Sequence, residues 1–399
     1  MIQIDTNKRY LITVSGGPDS MALFDMARRC GAYIEAAHMN YHRRDTALRD
    51  EKIVKTYCER YDIPFHKKDF DETKFTGNFQ AAARDARYDF FKEVCEERKL
   101  DEVLVAHQKD DLIETYLMQK ERKLGVSYYG LRQSNTIKGV KVFRPLLGYT
   151  KQDLLTYCKD HQISYGIDES NESDDYTRNK IRHHKIDKMS DQDKDALVAI
   201  IDEKNRKKEE HYRKACLALN KEKYTISQFK RIPYLKEYLF VHFDHPSASF
   251  IKEMKRQLLE SKHACFEGKD ICLSREYGQI FLFPKSKAFF YSFQNIESMF
   301  KESSSYFCFK KEGKKIESIF LQNTDFPIVV RNAKENDAIL LRFGTKKLNR
   351  FFIDRKIPMA LRKAWPVVVN QKGEVIFVPA IGPDVNHYCE IPNVFMVKL

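Results

Sequence analysis

One short glycine-containing segment constrains this chain more than any other feature. An apolar run, Tyr10 to Ser15, leads directly into the string SGGPDS, and an amphipathic stretch, MALFDMARR, follows at once. Paired glycines allow a sharp turn, and a proline suits the first turn of a helix because it has no N–H to leave unbonded. A strand, a tight turn and a helix N-terminus in this order present backbone N–H groups to phosphate oxygens. The alternative is a plain turn in which Asp19 and Ser20 only cap the helix.

Alternating strand and helix patterns extend from this segment to about Leu147. Apolar runs predict strands at Tyr10 to Ser15, Tyr33 to Met39, Phe65 to Phe70 and Glu102 to His107. Helical periodicity predicts helices between them, at Ser20 to Cys30, Thr46 to Tyr61, Phe79 to Lys99 and Asp111 to Lys123. This alternation is typical of an α/β domain with a doubly wound parallel sheet.

The later part of the chain predicts two further domains. A highly charged helical stretch follows the α/β region as a connector, so we expect a first domain over 1–215, a helical or α+β middle domain over 216–296 and a small α+β C-terminal domain over 297–399. In the last domain, the runs IVVRN, AILLRF, WPVVVN and EVIFVPA predict strands around one helix-like piece, RFFIDRKIPMALRKA.

Composition narrows the class of protein. There is no apolar run near the ~18 residues that a membrane span needs and no signal-peptide pattern, so a cytoplasmic protein without membrane association is expected. None of the nine cysteines lies in a CxxC pair, which argues against a structural zinc site and a disulfide framework. The net charge of +13 favours a polyanionic partner, although a basic proteome alone could produce it.

Two acidic residues and several basic ones are candidates for chemistry. Asp111 and Glu114 are spaced i to i+3 at the start of a predicted helix, so both carboxylates share one face and can hold ammonium groups or accept a proton. The alternative is helix capping. Arg178 and Arg182 would share one basic face, or belong to a polar surface connector. Arg87 could be solvated on an amphipathic helix, and His38 could be a satisfied strand-end histidine.

The string SGGPDS matches the SGGxDS signature of the PP-loop ATP pyrophosphatases, and it is neither a Walker A loop nor a dinucleotide fingerprint. The resemblance implies a Rossmann-like sheet with strand order 3-2-1-4-5. It also implies ATP cleaved between its α and β phosphates with Mg²⁺ bound, and Asp19 as a metal ligand. The nucleotide-binding residues implied by the resemblance are Ser15, Gly16, Gly17, Pro18, Asp19, Ser20, His38 and His107.

Four further strings resemble the tRNA(Ile)-lysidine synthetases within that superfamily: AHMNYHRR, AARDARYDFF, AHQKDDLIETYLMQ and DESNESDDYTRNKIRHH. The resemblance implies that L-lysine replaces the adenylate formed on the wobble cytidine of a tRNA(Ile) with a CAU anticodon, giving lysidine. Asp111 and Glu114 would bind lysine. Residues matching the family's catalytic pattern are Asp19, Asp111, Glu114, Arg87, Arg178 and Arg182; the polar residues Asp168, Asn171 and Asn179 belong to the last string.

A basic C-terminal segment resembles the same family. From Ile339 to Lys363 there are eight Lys and Arg and one acid, with Phe343, Phe351 and Phe352 interleaved. Some of these phenylalanines are expected in the core, and the lysines could be only a solvated face. The residues predicted to contact tRNA are Lys346, Lys347, Arg350, Arg355 and Lys356, through backbone and shape.

Three other functions remain open from the sequence. A tRNA thiolase of the same superfamily would need a persulfide cysteine or an iron–sulfur cluster, which the cysteine spacing does not favour. A synthetase of the kind that makes NAD or GMP usually carries a glutaminase module or a different C-terminal region. A non-catalytic RNA-binding protein would not need Asp19, Asp111 and Glu114 intact. The oligomeric state, including a homodimer, is not fixed by the sequence.

Overall fold

A computed structural model describes residues 2–42, 46–70, 79–122, 125–167, 177–243, 246–302 and 304–398. The chain divides into two compact units, Met1–Glu209 and Glu210–Leu399. Each unit has its own sheets and apolar cores. The finer division into three domains, with boundaries at 215 and 296, stays a prediction. Among the described residues, no helix combines the length and the apolar character needed to cross a membrane.

The first unit contains a six-stranded sheet in the order β3-β2-β1-β4-β6-β5. Five strands are parallel, and β5 joins the edge antiparallel to β6. The bounds are β1 Arg9–Thr13, β2 Tyr33–Asn40, β3 Phe65–Asp69, β4 Glu102–Leu104, β5 Ser134–Ile137 and β6 Val140–Phe143. The parallel strands have the predicted 3-2-1-4-5 order, with β6 as the fifth. The sequence analysis did not predict the β5–β6 hairpin.

The four helices predicted from apolar periodicity lie between the strands, and three further helices follow the sheet. The bounds are α1 Pro18–Arg29, α2 Ala47–Tyr61, α3 Phe79–Arg98, α4 Lys109–Glu121, α5 Lys151–Asp160, α6 Thr177–His184 and α7 Asp191–Ala218. Apolar clusters built from both sheet and helix residues cover the strands, which is the burial expected of a parallel sheet. The predicted α/β class of this unit is confirmed.

A buried carboxylate fixes the position of α1, which carries the glycine segment at its N-terminus. Asp25 is 1% exposed and accepts hydrogen bonds from Tyr57 of α2 at 2.6 Å and Tyr157 of α5 at 2.7 Å. Arg28 and Arg29 of the same helix also donate to it. Burial alone would raise the pKa of Asp25, but the bonds from Tyr57, Arg28 and Tyr157 outweigh it and lower the pKa to about 2. The network therefore ties three helices together behind the glycine segment.

The second unit begins with a four-stranded sheet in the order β7-β10-β9-β8, beside three helices. Apolar residues of the helices and of β9 and β10 form one core. The bounds are β7 Lys223–Thr225, β8 Ala264–Glu267, β9 Ile271–Glu276, β10 Gln279–Pro284, α8 Ile226–Lys230, α9 Leu235–His242 and α10 Ala248–Glu260. This mixture of helices and strands agrees with the predicted α+β composition.

The remainder of the second unit contains a seven-stranded sheet and a three-stranded sheet. The strands are β11 Phe290–Phe293, β12 Phe307–Lys310, β13 Ser318–Ile319, β14 Ile328–Asn332, β15 Ala338–Leu341, β16 Gly344–Lys347, β17 Pro366–Val369, β18 Val375–Val378, β19 Gly382–Pro383 and β20 Val394–Lys398. The helices are α11 Ile296–Phe300, α12 Leu348–Asp354 and α13 Met359–Arg362. The single helix predicted over 350–364 was wrong, because Lys356 adopts a φ of 54° and Pro358 lies before α13.

Candidate active site

The glycine segment connects β1 to α1 and leaves the helix N-terminus without a side-chain cap. Gly17 is the N-cap residue and Pro18 opens the helix. Ser20 Oγ accepts from Ser15 N at 3.2 Å and donates to Gly17 O at 2.9 Å, which closes the turn from inside. Asp19 and Ser20 are therefore not side-chain caps of α1, contrary to the simple-turn alternative. An uncapped N-terminus preceded by glycines suits an anion.

Close packing explains the need for glycine at position 16. Gly16 has a φ of +91°, and a Cβ there would lie 2.8 Å from Asp50 Cβ and 2.9 Å from Asp50 O. Asp50 belongs to α2, so this helix presses directly on the turn. On the other side, Gly166 N donates to Gly16 O at 2.8 Å. The backbone at this turn is thus held from two sides with no room for a side chain.

Asp19 has the features of a cation ligand. Its Oδ1 is buried and has no hydrogen-bond partner among the described residues. Burial, followed by the charge of Asp111, raises the pKa of Asp19 to about 6. A bound cation would give this oxygen a partner, so the site fits Mg²⁺. In the described part of the chain, no three His, Cys, Asp or Glu residues form a metal-binding group.

Asp111 and Glu114 lie on the first turns of α4, at the edge of the sheet where the parallel strands end. Asp111 Oδ2 accepts from Gln108 N at 3.0 Å as part of a capping box, so the capping interpretation holds for one of its oxygens. Glu114 is 0% exposed and Asp111 is 9% exposed. The two carboxylates are therefore close together and shielded from water.

Arg182 of α6 pairs with both carboxylates. Its Nη2 lies 3.0 Å from Asp111 Oδ1 and 3.0 Å from Glu114 Oε2. The sequence predicted a basic face for phosphate or tRNA, whereas the structure directs this guanidinium into the acidic pair. Arg178 lies on the same helix. The side chains of Arg178 and Asn179, and the residues Asp168 and Asn171, lie outside the described residues.

The two histidines predicted near ATP both have backbone or side-chain partners. His38 is 4% exposed, and its Nδ1 lies 2.8 Å from Val14 O, directly before the glycine turn. This contact matches the satisfied strand-end alternative and supports the turn. His107 Nδ1 accepts from Arg144 Nε at 3.0 Å. Direct contact of either histidine with ATP stays a prediction.

Arg144 is a residue at this edge of the sheet that sequence reasoning missed. It is 3% exposed, follows β6 and donates to Arg132 O at 2.9 Å and to Asn135 Oδ1 at 2.7 Å. Burial lowers its pKa. A basic residue directly after an apolar strand was the available signal, but the strand itself was not predicted.

Arg87 lies on the exposed face of α3. Its Nε donates to Tyr41 OH at 2.7 Å, and its guanidinium lies 5.4 Å from the centre of the Tyr41 ring. Tyr41 follows β2, so Arg87 reaches the end of that strand. Its proposed role at a phosphate stays a prediction.

The predicted tRNA-contacting cations surround α12 in the second unit. Lys346 and Arg350 share Asp354 at 3.0 and 3.4 Å. Arg355 lies over the Phe351 ring, and Phe351 and Phe352 are buried. Phe343, between β15 and β16, is fully exposed. Lys347 and Lys356 are also exposed. Two of the three phenylalanines thus belong to the core, and one remains on the surface with the cations.

Two family models match the chain. A PP-loop domain matches residues 1–189, and a TilS substrate C-terminal domain matches residues 328–390.

Among curated relatives, a tRNA(Ile)-lysidine synthase of Mycoplasma mycoides is 31% identical over 94% of this chain and 98% of its own length. A tRNA(Ile)-lysidine synthase of Ureaplasma parvum is 42% identical, and the match covers 44% of this chain and 54% of that protein. A bifunctional protein TilS/HprT of Listeria monocytogenes is 27% identical, and the match covers 95% of this chain and 65% of that protein. The matches thus span less than two thirds of the length of the last two proteins. The two domain matches and the end-to-end similarity to the M. mycoides protein show that this chain belongs to the tRNA(Ile)-lysidine synthase family.

Proposed function

We propose that this chain is an enzyme that joins L-lysine to C2 of the wobble cytidine, C34, of a tRNA(Ile) with a CAU anticodon. ATP would activate the cytidine as an adenylate, and the products would be lysidine, AMP and pyrophosphate. The observation that carries the proposal is the buried pair Asp111 and Glu114 at the same sheet edge as the uncapped helix and Asp19. The M. mycoides and U. parvum relatives are tRNA(Ile)-lysidine synthases by name, which supports the same activity.

The glycine turn supplies the nucleotide side of the reaction. Backbone N–H groups at the start of α1 would bind phosphate oxygens, and Asp19 would hold Mg²⁺. When bound, Mg²⁺ offsets the negative charge on the pyrophosphate leaving group. Ser20 and His38 keep the turn in shape through their bonds to Gly17 O and Val14 O. The chain's own contribution is a turn that is already formed before the nucleotide arrives.

Asp111 and Glu114 would bind the lysine substrate. Two carboxylates fixed on one helix turn can hold an ammonium group, orient the amine toward C2 and accept its proton when the new C–N bond forms and AMP leaves. Their burial strengthens these electrostatic interactions. Lysine would thus be selected by its positive charge.

The basic surface around α12 supplies a contact for tRNA. The exposed cations Lys347, Arg355 and Lys356 would bind backbone phosphates. Phe343 offers a fully exposed ring on which an unpaired base can stack. Base specificity would then come from the unstacked anticodon loop.

The cysteines of the first unit do not favour a thiolase. Burial raises the pKa of all four, to about 12 for Cys58 and Cys158 and about 11 for Cys95, with Cys30 also raised. A thiol with such a pKa is a poor nucleophile near neutral pH. These residues are therefore poor carriers of a persulfide.

The test is incorporation of labelled lysine into unmodified tRNA(Ile) bearing CAU, with ATP and Mg²⁺. Wild type is compared with Asp19→Ala and Asp111→Ala, and a methionine tRNA with the same anticodon serves as the control. We expect incorporation that requires ATP and both aspartates and spares the control. Pyrophosphate release without lysine in the tRNA would keep the ATP chemistry and reject lysidine formation.

A further inference from the structure

We propose that Arg182 is a resident counter-ion of the lysine site. In the ligand-free protein its guanidinium takes the position of the substrate ammonium group, and lysine binds by displacing it. This inference rests on the proposed function, because it concerns the same two carboxylates. It assigns Arg182 a role in setting lysine affinity, in place of the phosphate or tRNA contact expected from the sequence.

The geometry of the contact resembles that of an ammonium group. Arginine commonly binds a carboxylate through two nitrogens that face its two oxygens. Here one nitrogen, Nη2, lies 3.0 Å from an oxygen of Asp111 and 3.0 Å from an oxygen of Glu114. A single nitrogen that donates to two separate carboxylates is what the three N–H bonds of a lysine ammonium group provide.

The carboxylates are the fixed part of this arrangement. Asp111 is held by Gln108 N at the start of α4, and Glu114 is fully buried on the next turn of that helix. Arg182 comes from another element, α6, and its side chain remains 25% exposed. The guanidinium is therefore the component with a path to solvent.

Burial explains why a cation must always be present. A buried carboxylate that loses a paired cation is strongly destabilised, so a site made for a cationic substrate is stabilised by a substitute cation when it is empty. Two cationic nitrogens cannot share one position between the same oxygens. Lysine and Arg182 therefore compete for the two carboxylates. If Arg182 is away from them in about one tenth of the molecules, the apparent affinity for lysine is about tenfold weaker.

The first test measures binding of L-lysine by calorimetry at about pH 8. Arg182→Gln removes the competing cation, and we expect its Kd for lysine to fall by about threefold or more relative to wild type. Lys185→Gln is the matched control. Lys185 is exposed, directly follows the same helix and pairs with Glu121, so the Lys185→Gln protein should bind lysine with the wild-type Kd. Equal or weaker lysine binding by a folded Arg182→Gln protein, judged by its thermal melt, would overturn the inference.

The second test uses wild-type protein and does not depend on how a variant folds. Phenylglyoxal in excess modifies accessible guanidinium groups, and mass spectrometry of the peptides measures the rate at Arg182. We expect L-lysine to increase this rate by about threefold or more, and L-norleucine, which lacks the side-chain ammonium, to leave it unchanged. Protection of Arg182 by lysine, or no effect, would contradict displacement.

Labelled-lysine incorporation separates this inference from the proposed function. If wild type incorporates lysine but Arg182→Gln binds it more weakly, Arg182 assists lysine binding and only the displacement fails. If wild type neither binds nor incorporates lysine, the proposed function and the displacement are both rejected.

Discussion

Asp19 and Asp25 are buried carboxylates on the same helix that differ in their hydrogen-bond partners. Asp25 has four side-chain donors around it, whereas Asp19 Oδ1 has no hydrogen-bond partner among the described residues. A buried carboxylate lowers the stability of the protein when it has no partner, and is tolerated when hydrogen bonds compensate for the loss of water. The difference supports the proposal that Asp19 binds a ligand, whereas Asp25 stabilises the fold.

We therefore expect Asp19→Asn to increase the stability of the ligand-free protein by about 1 kcal/mol, while lowering lysine incorporation by about a hundredfold or more. The matched variant Asp25→Asn should instead lower stability by about 2 kcal/mol, because it breaks a satisfied buried network. Thermal melts of the three proteins at neutral pH provide the measurement. A less stable Asp19→Asn protein would show that Asp19 is structural.

His387 makes part of the stability of the second unit dependent on pH. Its Nδ1 faces Asp384 Oδ1 and its Nε2 lies 3.2 Å from Asp325 Oδ1. Burial would lower the pKa of His387, but the hydrogen bond to Asp384 and the charges of both aspartates outweigh it and raise the pKa. The stabilisation is fully present below the ordinary value of 6.5 and is lost as pH rises through the higher folded-state value.

Replacing this residue should remove that dependence. The quantity compared is the free energy of unfolding of wild type minus that of His387→Gln. We expect this difference to be about 1 kcal/mol larger at about pH 6 than at about pH 9. Denaturation of both proteins across this range measures the difference. A gap between the two proteins that stays constant with pH would mean that His387 stabilises the unit only through packing.

Side-chain partners are the part of the site that the sequence could not predict. The residues Asp111, Glu114 and Arg182 were each identified from motifs. Their mutual pairing joins positions separated by 71 and 68 residues, which no local pattern reports. Arg144 was missed for a related reason, since its importance depends on contact with His107 across the sheet edge.

At the scale of elements, the turn between β1 and α1 depends on its contact with α2. A side chain on Gly16 would meet the Asp50 backbone and also require a strained positive φ. Gly31 has a φ of +78°, and a Cβ added there would have no other atom within 4 Å. A side chain at Gly31 would therefore add backbone strain alone, whereas a side chain at Gly16 would add both strain and a steric clash.

We expect Gly31→Ala to cost about 1 kcal/mol and to leave lysine incorporation unchanged, since it adds strain alone. Gly16→Ala should cost about 2 to 4 kcal/mol and abolish ATP-dependent pyrophosphate release, because the turn must move away from α2. Denaturation curves and a pyrophosphate assay make the comparison. Similar effects of the two variants would show that the approach of α2 is unimportant.

Long periodic elements were predictable, and short ones were not. Four strands and four helices of the first unit lie within a few residues of their predicted positions, because burial on both sheet faces leaves a clear apolar pattern. The β5–β6 hairpin has four-residue strands with polar edge positions, so its pattern is weak. The break between α12 and α13 combines a positive φ at Lys356, which the sequence does not show, with Pro358, which it does.

At the scale of the whole molecule, the residues proposed to bind ATP and lysine and the residues proposed to bind tRNA belong to different units. The first unit contains the turn and the carboxylates, and the second contains the cations around α12. The net charge of +13 would assist association with any nucleic acid, so charge alone does not identify the contact surface. The number of phosphates contacted by a local group can be measured from salt dependence.

We expect the triple variant Lys347→Ala, Arg355→Ala, Lys356→Ala to bind tRNA(Ile) at least about tenfold more weakly, with a salt-dependence slope reduced by about 2 to 3. L-lysine binding should be unchanged, because its proposed site lies in the first unit. The control replaces Lys207 and Lys214, which each lie within ion-pair distance of a glutamate on α7. Because those cations are already neutralised locally, their loss should leave the slope unchanged. An equal reduction in slope per removed charge in the two variants would mean that tRNA binding depends only on total charge, and would contradict a tRNA contact at the surface around α12.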